Sequence, residues 1–560
     1  MGESHNLSDY ESMREGFSWT DIYEAADWNA PEELNIAHEV ADRHATDREK
    51  VALYQVGTDG EVNKLTFWEL ANRSNQFANL LDELGIEEND RVFSYMPRIP
   101  EHYVALVGTL KHGAVWGSVN ERFGPDGISY RLDDCDTKVV VTTSDNRDTV
   151  TEALAEAPSV EHIITVDRGT GAPPEDVVFN TALDDLSTEY DTTETNGEDN
   201  ALLYYTSGTT GLAKGVLHKH RWVAGVAATQ RYAVDLQEGD LYWSTGDLGW
   251  LTGAINTLGA WFWGSSLFTY EGEFDPEEWA ELLDEYPINV LFSVPTAYRM
   301  LREHEEVLEG VDLDLRHALS IGEPLSAGVV EWGEESLGVT ILDTYGQTET
   351  GNMIINNYPT MELRPGSMGK PLPGIEADIV DPESGEVLGP DETGEIAQRG
   401  DYPCFFAEYW EKPEKTASCF IDGPDGEWYL SGDLAHKDED GYFWFEGRAD
   451  DVILSSGYRI GPFEVESSLG EHEAVAETAV VPKPHPERGN IVKAYVVPSE
   501  GTSPSDDLKD RIRNHVKEEL SAHEYPREIE FVGELPKTVT GKIRRTELQD
   551  KAEQEADVDT

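Results

Sequence analysis

Basic side chains are scarce in this sequence: 42 Lys and Arg stand against 111 Asp and Glu in 560 residues, a formal net charge of -69. A chain so short of cations cannot neutralise a run of phosphates, which excludes nucleic acid as a partner. Cysteine is nearly missing. Cys135, Cys404 and Cys419 are odd in number and at spacings that suit no metal, so neither a disulfide framework nor a zinc site is indicated. No apolar run approaches the roughly 20 residues that cross a bilayer. The opening MGESHNLSDYE has neither the basic nor the apolar region of a signal peptide, so a cytoplasmic protein without membrane insertion is expected.

The acids spread along the chain rather than forming blocks. Self-repulsion on this scale destabilises a fold in dilute buffer, and at 1 M salt the screening length falls to about 3 Å, so the composition reads as adaptation to a salt-rich interior. With 39% hydrophobic residues over 560 positions, the chain has material for at least two cores.

The first 200 residues alternate two periodicities. Apolar spacing predicts a helix over 67–84 and strands at 91–95, 138–142 and 162–167, the pattern of helices packed on mostly parallel sheets. From Arg168 to Asn200 the chain turns polar and reads as a surface excursion. GWLTGAINTLGAWFWGSSLF reads as a buried helix or as the wall of a substrate pocket. INVLFSVPTAYRML gives a strand, a turn at Pro295 and a helix, and HALSIGEPLS gives a strand ending at Gly322, Glu323 and Pro324. Strand ends followed by glycine are where open α/β sheets place ligands. Past Tyr345, short strands and frequent turns predict an antiparallel subdomain. Strands at 476–481, 491–497 and 528–532, with a helix opened by Ser503-Pro504 and carrying Leu508, Ile512, Val516 and Leu520 on one face, form a last small module. The expected fold class is α/β: a large N-terminal domain, 1–449, of mixed sheets with flanking helices plus an antiparallel subdomain, and a small α/β C-terminal domain, 450–560.

One stretch carries chemistry on its face. TSGTTGLAKG, from Thr206 to Gly215, follows the apolar run Leu202, Leu203, Tyr204, Tyr205 and packs three glycines, four hydroxyl residues and a lysine into ten positions. Backbone N–H groups, hydroxyls and an ammonium all donate to phosphate oxygens. A Ser/Gly linker has no need of a lysine between apolar segments. The stretch is not a Walker A loop, because Gly215 follows Lys214 where that motif has Ser or Thr.

Four further segments follow it: DTYGQTETG at 343–351, SGDLA at 431–435, GRADDVILSSGYRIGPFEVE at 447–466 and PKTVTGKIRR at 536–545. Together, and in this order, the five resemble the adenylate-forming superfamily of AMP-forming acyl-CoA synthetases, luciferases and peptide-synthetase adenylation domains, over nearly the whole chain. SSGYRIGPFEVE and LPKTVTGKIRR are most similar to medium-chain acyl-CoA and acetyl-CoA synthetases. The resemblance implies that a carboxylate attacks the α-phosphate of ATP, with Mg²⁺, and that coenzyme A then displaces AMP.

It also implies roles residue by residue. Thr206, Ser207, Gly208, Thr209, Thr210 and Lys214 close over the outer phosphates. Gly322, Glu323 and Pro324 line adenine and ribose. Asp343, Thr344, Tyr345, Gly346 and Gln347 belong to the nucleotide segment, with Tyr345 stacking on adenine. Thr348 touches the α-phosphate and Glu349 holds Mg²⁺. Asp433 accepts from both ribose hydroxyls, and Arg448 and Arg459 add nucleotide contacts. Lys542 pairs with the substrate carboxylate. Asp450, with Asp451 as the adjacent alternative, is the hinge of a mobile small domain. That domain brings Ser456, Gly457 and Tyr458 to coenzyme A, whose phosphates Lys517 and Arg459 can meet. Acetyl-CoA synthetases have a tryptophan at the place of Gly346. An indole replaced by hydrogen leaves room for several methylenes, about 0.8 kcal/mol each when buried. Short-branched, medium-chain or small aromatic acids are therefore expected over acetate, with Trp250, Leu251 and Thr252 as another wall. Trp250 can refill the space, which leaves acetate open, and loading of a carrier protein is a further alternative.

Overall fold

The computed structural model describes residues 5–206, 213–400, 402–451, 453–455, 458–485, 488–499, 501–520, 525–537 and 543–558. Local sequence sets the bounds of the first long helix, Phe67–Glu83. Thr66 accepts from the Glu69 N–H (3.1 Å) and the Glu69 carboxylate accepts from the Thr66 N–H (2.9 Å), a reciprocal cap. The helix buries Leu70, Phe77 and Leu81 beside the helix Pro100–His112. That second helix starts on a proline and stops at Gly113, whose φ of 82° is left-handed.

Among the described residues, the N-terminal part is built on two large sheets. The eight-stranded sheet has a parallel body of Asn200–Thr206, Val115–Ser118, Arg91–Tyr95, Val139–Thr143, His162–Val166 and Val177–Val178. Lys214–Lys219 and then Glu408–Tyr409 extend it antiparallel. Runs such as Val139, Val140 and Val141 are apolar without alternation because both faces of a parallel sheet are covered. The nine-stranded sheet has a parallel centre of Leu241–Ser244, Ile288–Ser293, His317–Ser320 and Ile341–Gln347. GWLTGAINTLGAWFWGSSLF supplies a buried helix, Leu251–Phe262, and a strand, Ser266–Tyr270.

The antiparallel subdomain is a sheet of Glu376–Val380, Gly394–Arg399, Phe420–Gly423, Gly426–Lys437 and Phe443–Arg448. SGDLA lies within the strand Gly426–Lys437. The smaller C-terminal domain has a sheet whose central pair is Val475–His485 with Gly489–Pro498. Strand alternation sends Val480, Ala494 and Val496 to one face, against the helices Pro462–Gly470 and Asp506–Glu519. Ala479, Val481 and Tyr495 go to the other, against Leu548 and Ala552 of the helix Arg545–Val558.

Two expectations are corrected here. The polar stretch 168–200 contains the strand Val177–Val178 and the helix Phe179–Asp184, anchored by buried Phe179 and Leu183, too few apolar residues to show a period. The helix expected to open at Ser503-Pro504 begins at Asp506, because Ser505 is the cap and accepts from the Leu508 N–H.

One cation ties the C-terminal domain together. Lys493 is fully buried, and its ammonium lies 2.8 Å from Glu530, 2.5 Å from Glu555 and 3.4 Å from Glu528. Its loss leaves the three carboxylates to Lys483, which pairs with Glu528 and Glu555, and Lys551, which pairs with Glu530. Lys493→Met is expected to lower the stability of this domain by about 2–3 kcal/mol, less than for a fully buried pair because the glutamates are about one-third exposed. The urea midpoint at constant KCl measures it, and an unchanged midpoint would show the cluster to be inert.

Candidate active site

A cavity of about 1800 Å³ opens where the parallel strands of the nine-stranded sheet end. Thr245, Ser293 and Ile321, each just past or at a strand end, line it together with 343–349. This is the crevice at the carboxyl ends of strands where an open α/β sheet receives ligands.

The antiparallel subdomain closes one side of it, and Asp433 is a central point of contact. Its side chain is buried, and one carboxylate oxygen accepts from the Tyr345 hydroxyl (2.7 Å) and from Gln347 Nε2 (2.5 Å). The other accepts from Arg448 Nη1 (3.0 Å). Gln347 also donates to the Ser431 carbonyl (2.9 Å) and accepts from the Tyr429 hydroxyl (3.0 Å). Burial, followed by the adjacent Asp433 charge, pushes the Tyr345 phenol well up, so it remains a neutral donor. Ionised carboxylates offer about four lone-pair sites, so Asp433 keeps acceptor capacity while its position is set.

Other carboxylates of the cavity differ in kind. Glu323 accepts from Thr296 Oγ1 (2.8 Å) and Arg299 Nη2 (2.7 Å), and so is turned toward the helix Pro295–Glu303. Asp343 accepts from the Thr344 N–H (3.0 Å), but burial dominates and raises its carboxyl well above the usual range. Glu349 Oε1 accepts from the Tyr409 hydroxyl (2.7 Å). A hydroxyl on one oxygen leaves the other for a hard cation, so Glu349 fits Mg²⁺. Lys214 also lines the cavity, its ammonium 4.5 Å from the centre of the Tyr409 ring. From the C-terminal domain, Glu466 and Arg545 reach the same cavity, paired twofold at 2.5 and 2.7 Å.

Residues 39–410 match the AMP-binding enzyme family, and residues 464–542 match the AMP-binding enzyme C-terminal domain. The chain belongs to this family. It is 43% identical over 551 residues to an acetyl-coenzyme A synthetase of Bacillus subtilis (strain 168), covering 97% of this chain and 95% of that one. It is 37% identical over 566 residues to the mitochondrial acyl-coenzyme A synthetase ACSM3 of Rattus norvegicus, covering 98% and 94%. Among solved structures, an acyl-CoA synthetase of Brucella canis superposes with a TM-score of 0.76 at 35% identity, covering 98% and 99%.

In this AMP-binding enzyme the cavity gathers Thr206, Lys214, Trp250, Leu251, Thr252, Gly322, Glu323, Pro324, the segment 343–349, Asp433 and Arg448. Ser207, Gly208, Thr209, Thr210, Ser456, Gly457 and Lys542 lie outside the described residues, as do the side chains of Asp450, Tyr458 and Arg459. Lys517 is not brought to the cavity. It is exposed on its helix, over the Tyr525 ring at 5.6 Å. Sequence reasoning missed Arg299, Tyr409 and Tyr429, and gave Ser431 of SGDLA no role of its own. The two tyrosines carry no local signal that separates them from ordinary core aromatics.

Gly346 lines the cavity and is also a point of close backbone approach. A Cβ built on it would stand 2.0 Å from the Asn352 carbonyl oxygen, on the paired strand Asn352–Asn356. The register of that pair shifts between Tyr345 and Gly346, and the two backbones meet there. Glycine suits this close approach of the strands, and a side chain there requires the backbone to shift. Trp250 turns to Phe123, ring centres 5.6 Å apart. Gly346→Trp is therefore expected to lower kcat/KM at least tenfold for every acid, acetate included, and to lower the melting temperature. A variant that shortened chain-length preference at full stability would refute this.

Proposed function

We propose that this protein is an AMP-forming acyl-CoA synthetase: it joins a carboxylic acid to AMP, with release of pyrophosphate, and transfers the acyl group to coenzyme A. The observation that carries the reading is the convergence on one cavity of Asp433, held by Tyr345, Gln347 and Arg448, with Glu349 and Lys214. Asp433 accepts from the ribose hydroxyls, and Tyr345 packs against the base. Thr348 donates toward the α-phosphate. Glu349 is the residue that would hold Mg²⁺, which when bound offsets phosphate charge. The first half-reaction brings two anions together, so a cation at the reacting oxygens lowers the barrier, and Lys542 is the residue we assign to it. For the second, the small domain turns at Asp450 and presents the segment 456–459 to coenzyme A, with Gly457 where pantetheine passes close to backbone.

Short- to medium-chain or branched acids suit the walls formed by Trp250, Leu251, Thr252 and Ile255. Acetate is the second reading, favoured by the 43% identity to a protein named for acetyl-coenzyme A. No described helix is long and apolar enough to cross a membrane. The net charge of -69 supports a salt-rich cytoplasm as the working environment.

A series of carboxylic acids of increasing length, assayed for AMP release in molar KCl, tests the function. Turnover is expected only with coenzyme A present, with kcat/KM rising beyond acetate. A maximum at acetate selects the second reading, and silence across the series refutes both. Lys542→Ala is expected to slow adenylation about 100-fold or more while leaving the reaction of preformed acyl-adenylate with coenzyme A within a few-fold. Equal loss in both steps would overturn the role given to Lys542.

A further inference from the structure

Tyr409 stands between two pieces of chain that both line the cavity, the strand that begins at Lys214 and the segment that holds Glu349. Its strand, Glu408–Tyr409, pairs antiparallel with Lys214–Lys219, which continues directly from the glycine-rich stretch. The pairing is extended by the Trp410 N–H to the Gly215 carbonyl (2.7 Å) and the Ala407 N–H to the Leu217 carbonyl (2.8 Å). On the other side, the Phe406 N–H donates to the Glu349 carbonyl (3.1 Å). The ring is 2% exposed and wedged among Val216, Phe406 and Tyr429, so it has one place to lie. A buried phenol must find an acceptor, and here it is the Glu349 carboxylate at 2.7 Å. The face of the same ring lies 4.5 Å from the Lys214 ammonium, within the range of a cation–π contact.

We propose that Tyr409 is a positioning residue that sets the metal-binding and phosphate-binding side chains at a common spacing, holding Glu349 by its hydroxyl and Lys214 by its ring. This rests on the assignment of Glu349 to Mg²⁺ and Lys214 to phosphate given above. The two contacts separate by substitution. Tyr409→Phe keeps the ring over Lys214 and removes only the hydroxyl from Glu349. Tyr409→Leu removes both. A merely structural tyrosine would give both variants the same defect, scaled by lost packing.

The test is ATP binding to the full chain in molar KCl, followed by calorimetric titration over a range of Mg²⁺ concentrations without acid or coenzyme A, so that no turnover enters. Tyr409→Phe is expected to raise the Mg²⁺ concentration at half-maximal ATP binding by about tenfold, the loss of one charge-assisted hydrogen bond. ATP affinity at saturating Mg²⁺ should stay within twofold. Tyr409→Leu should weaken ATP affinity at saturating Mg²⁺ as well. Glu349→Gln should raise the Mg²⁺ requirement by itself, and adding Tyr409→Phe to it should change nothing further. The proposal is overturned if Tyr409→Phe binds with the parent's Mg²⁺ dependence, or if its effect persists in full beside Glu349→Gln. If Glu349→Gln alone leaves the Mg²⁺ dependence unchanged, the metal role of Glu349 falls, and the proposal with it.

Discussion

A carboxylate taken out of water has to be surrounded by donors, and the way Asp433 meets that demand organises the site. Its donors come from different parts of the chain. Tyr345 and Gln347 end a strand of the nine-stranded sheet, and Arg448 sits on the strand beside Asp433 itself. The antiparallel subdomain is thereby fastened to the larger sheet through the residue we assign to the ribose. Structural and functional demands coincide on one side chain, since what keeps Asp433 in place also ties two sheets together.

The same rule governs the few buried cations of this acidic chain. Lys111, fully buried, donates to Asp42 and Asn75, and Arg147 grips Asp176 at 2.6 and 2.8 Å. Lys493 answers three glutamates at once. The excess negative charge is thus borne by carboxylates near the surface, where salt screens them, while the interior Lys111, Arg147 and Lys493 are committed to carboxylate partners. In the cavity the balance differs. Among the described residues, Lys214 lies over a tyrosine ring rather than against a carboxylate, which suits the phosphate role we propose for it.

Much of the fold was legible because periodicity is local. The helix expected at 67–84 is Phe67–Glu83, and the strand expected at 91–95 is Arg91–Tyr95. Where few apolar residues anchor an element, as Phe179 and Leu183 do, no period could show it. The candidate site was legible where several residue types stand close together in sequence, as in DTYGQTETG. Single residues were not. Tyr409 meets Glu349 across 60 positions and Gln347 meets Asp433 across 86, and no local pattern announces either meeting.

Gly346 marks the division most plainly. Taken alone, a missing side chain in the nucleotide segment reads as space. In the folded chain a Cβ there would meet the Asn352 carbonyl of the neighbouring strand, because register, which is set between strands and not within them, decides what each Cβ direction meets. The sequence by itself determined the family and its chemistry, since the order of phosphate, ribose and carboxylate motifs is a one-dimensional property. The tertiary structure decided which of those residues share a cavity, what holds each in place, and that a tyrosine outside every motif joins the lysine to the carboxylate. Those are distances across sheets, and only the packed fold sets them.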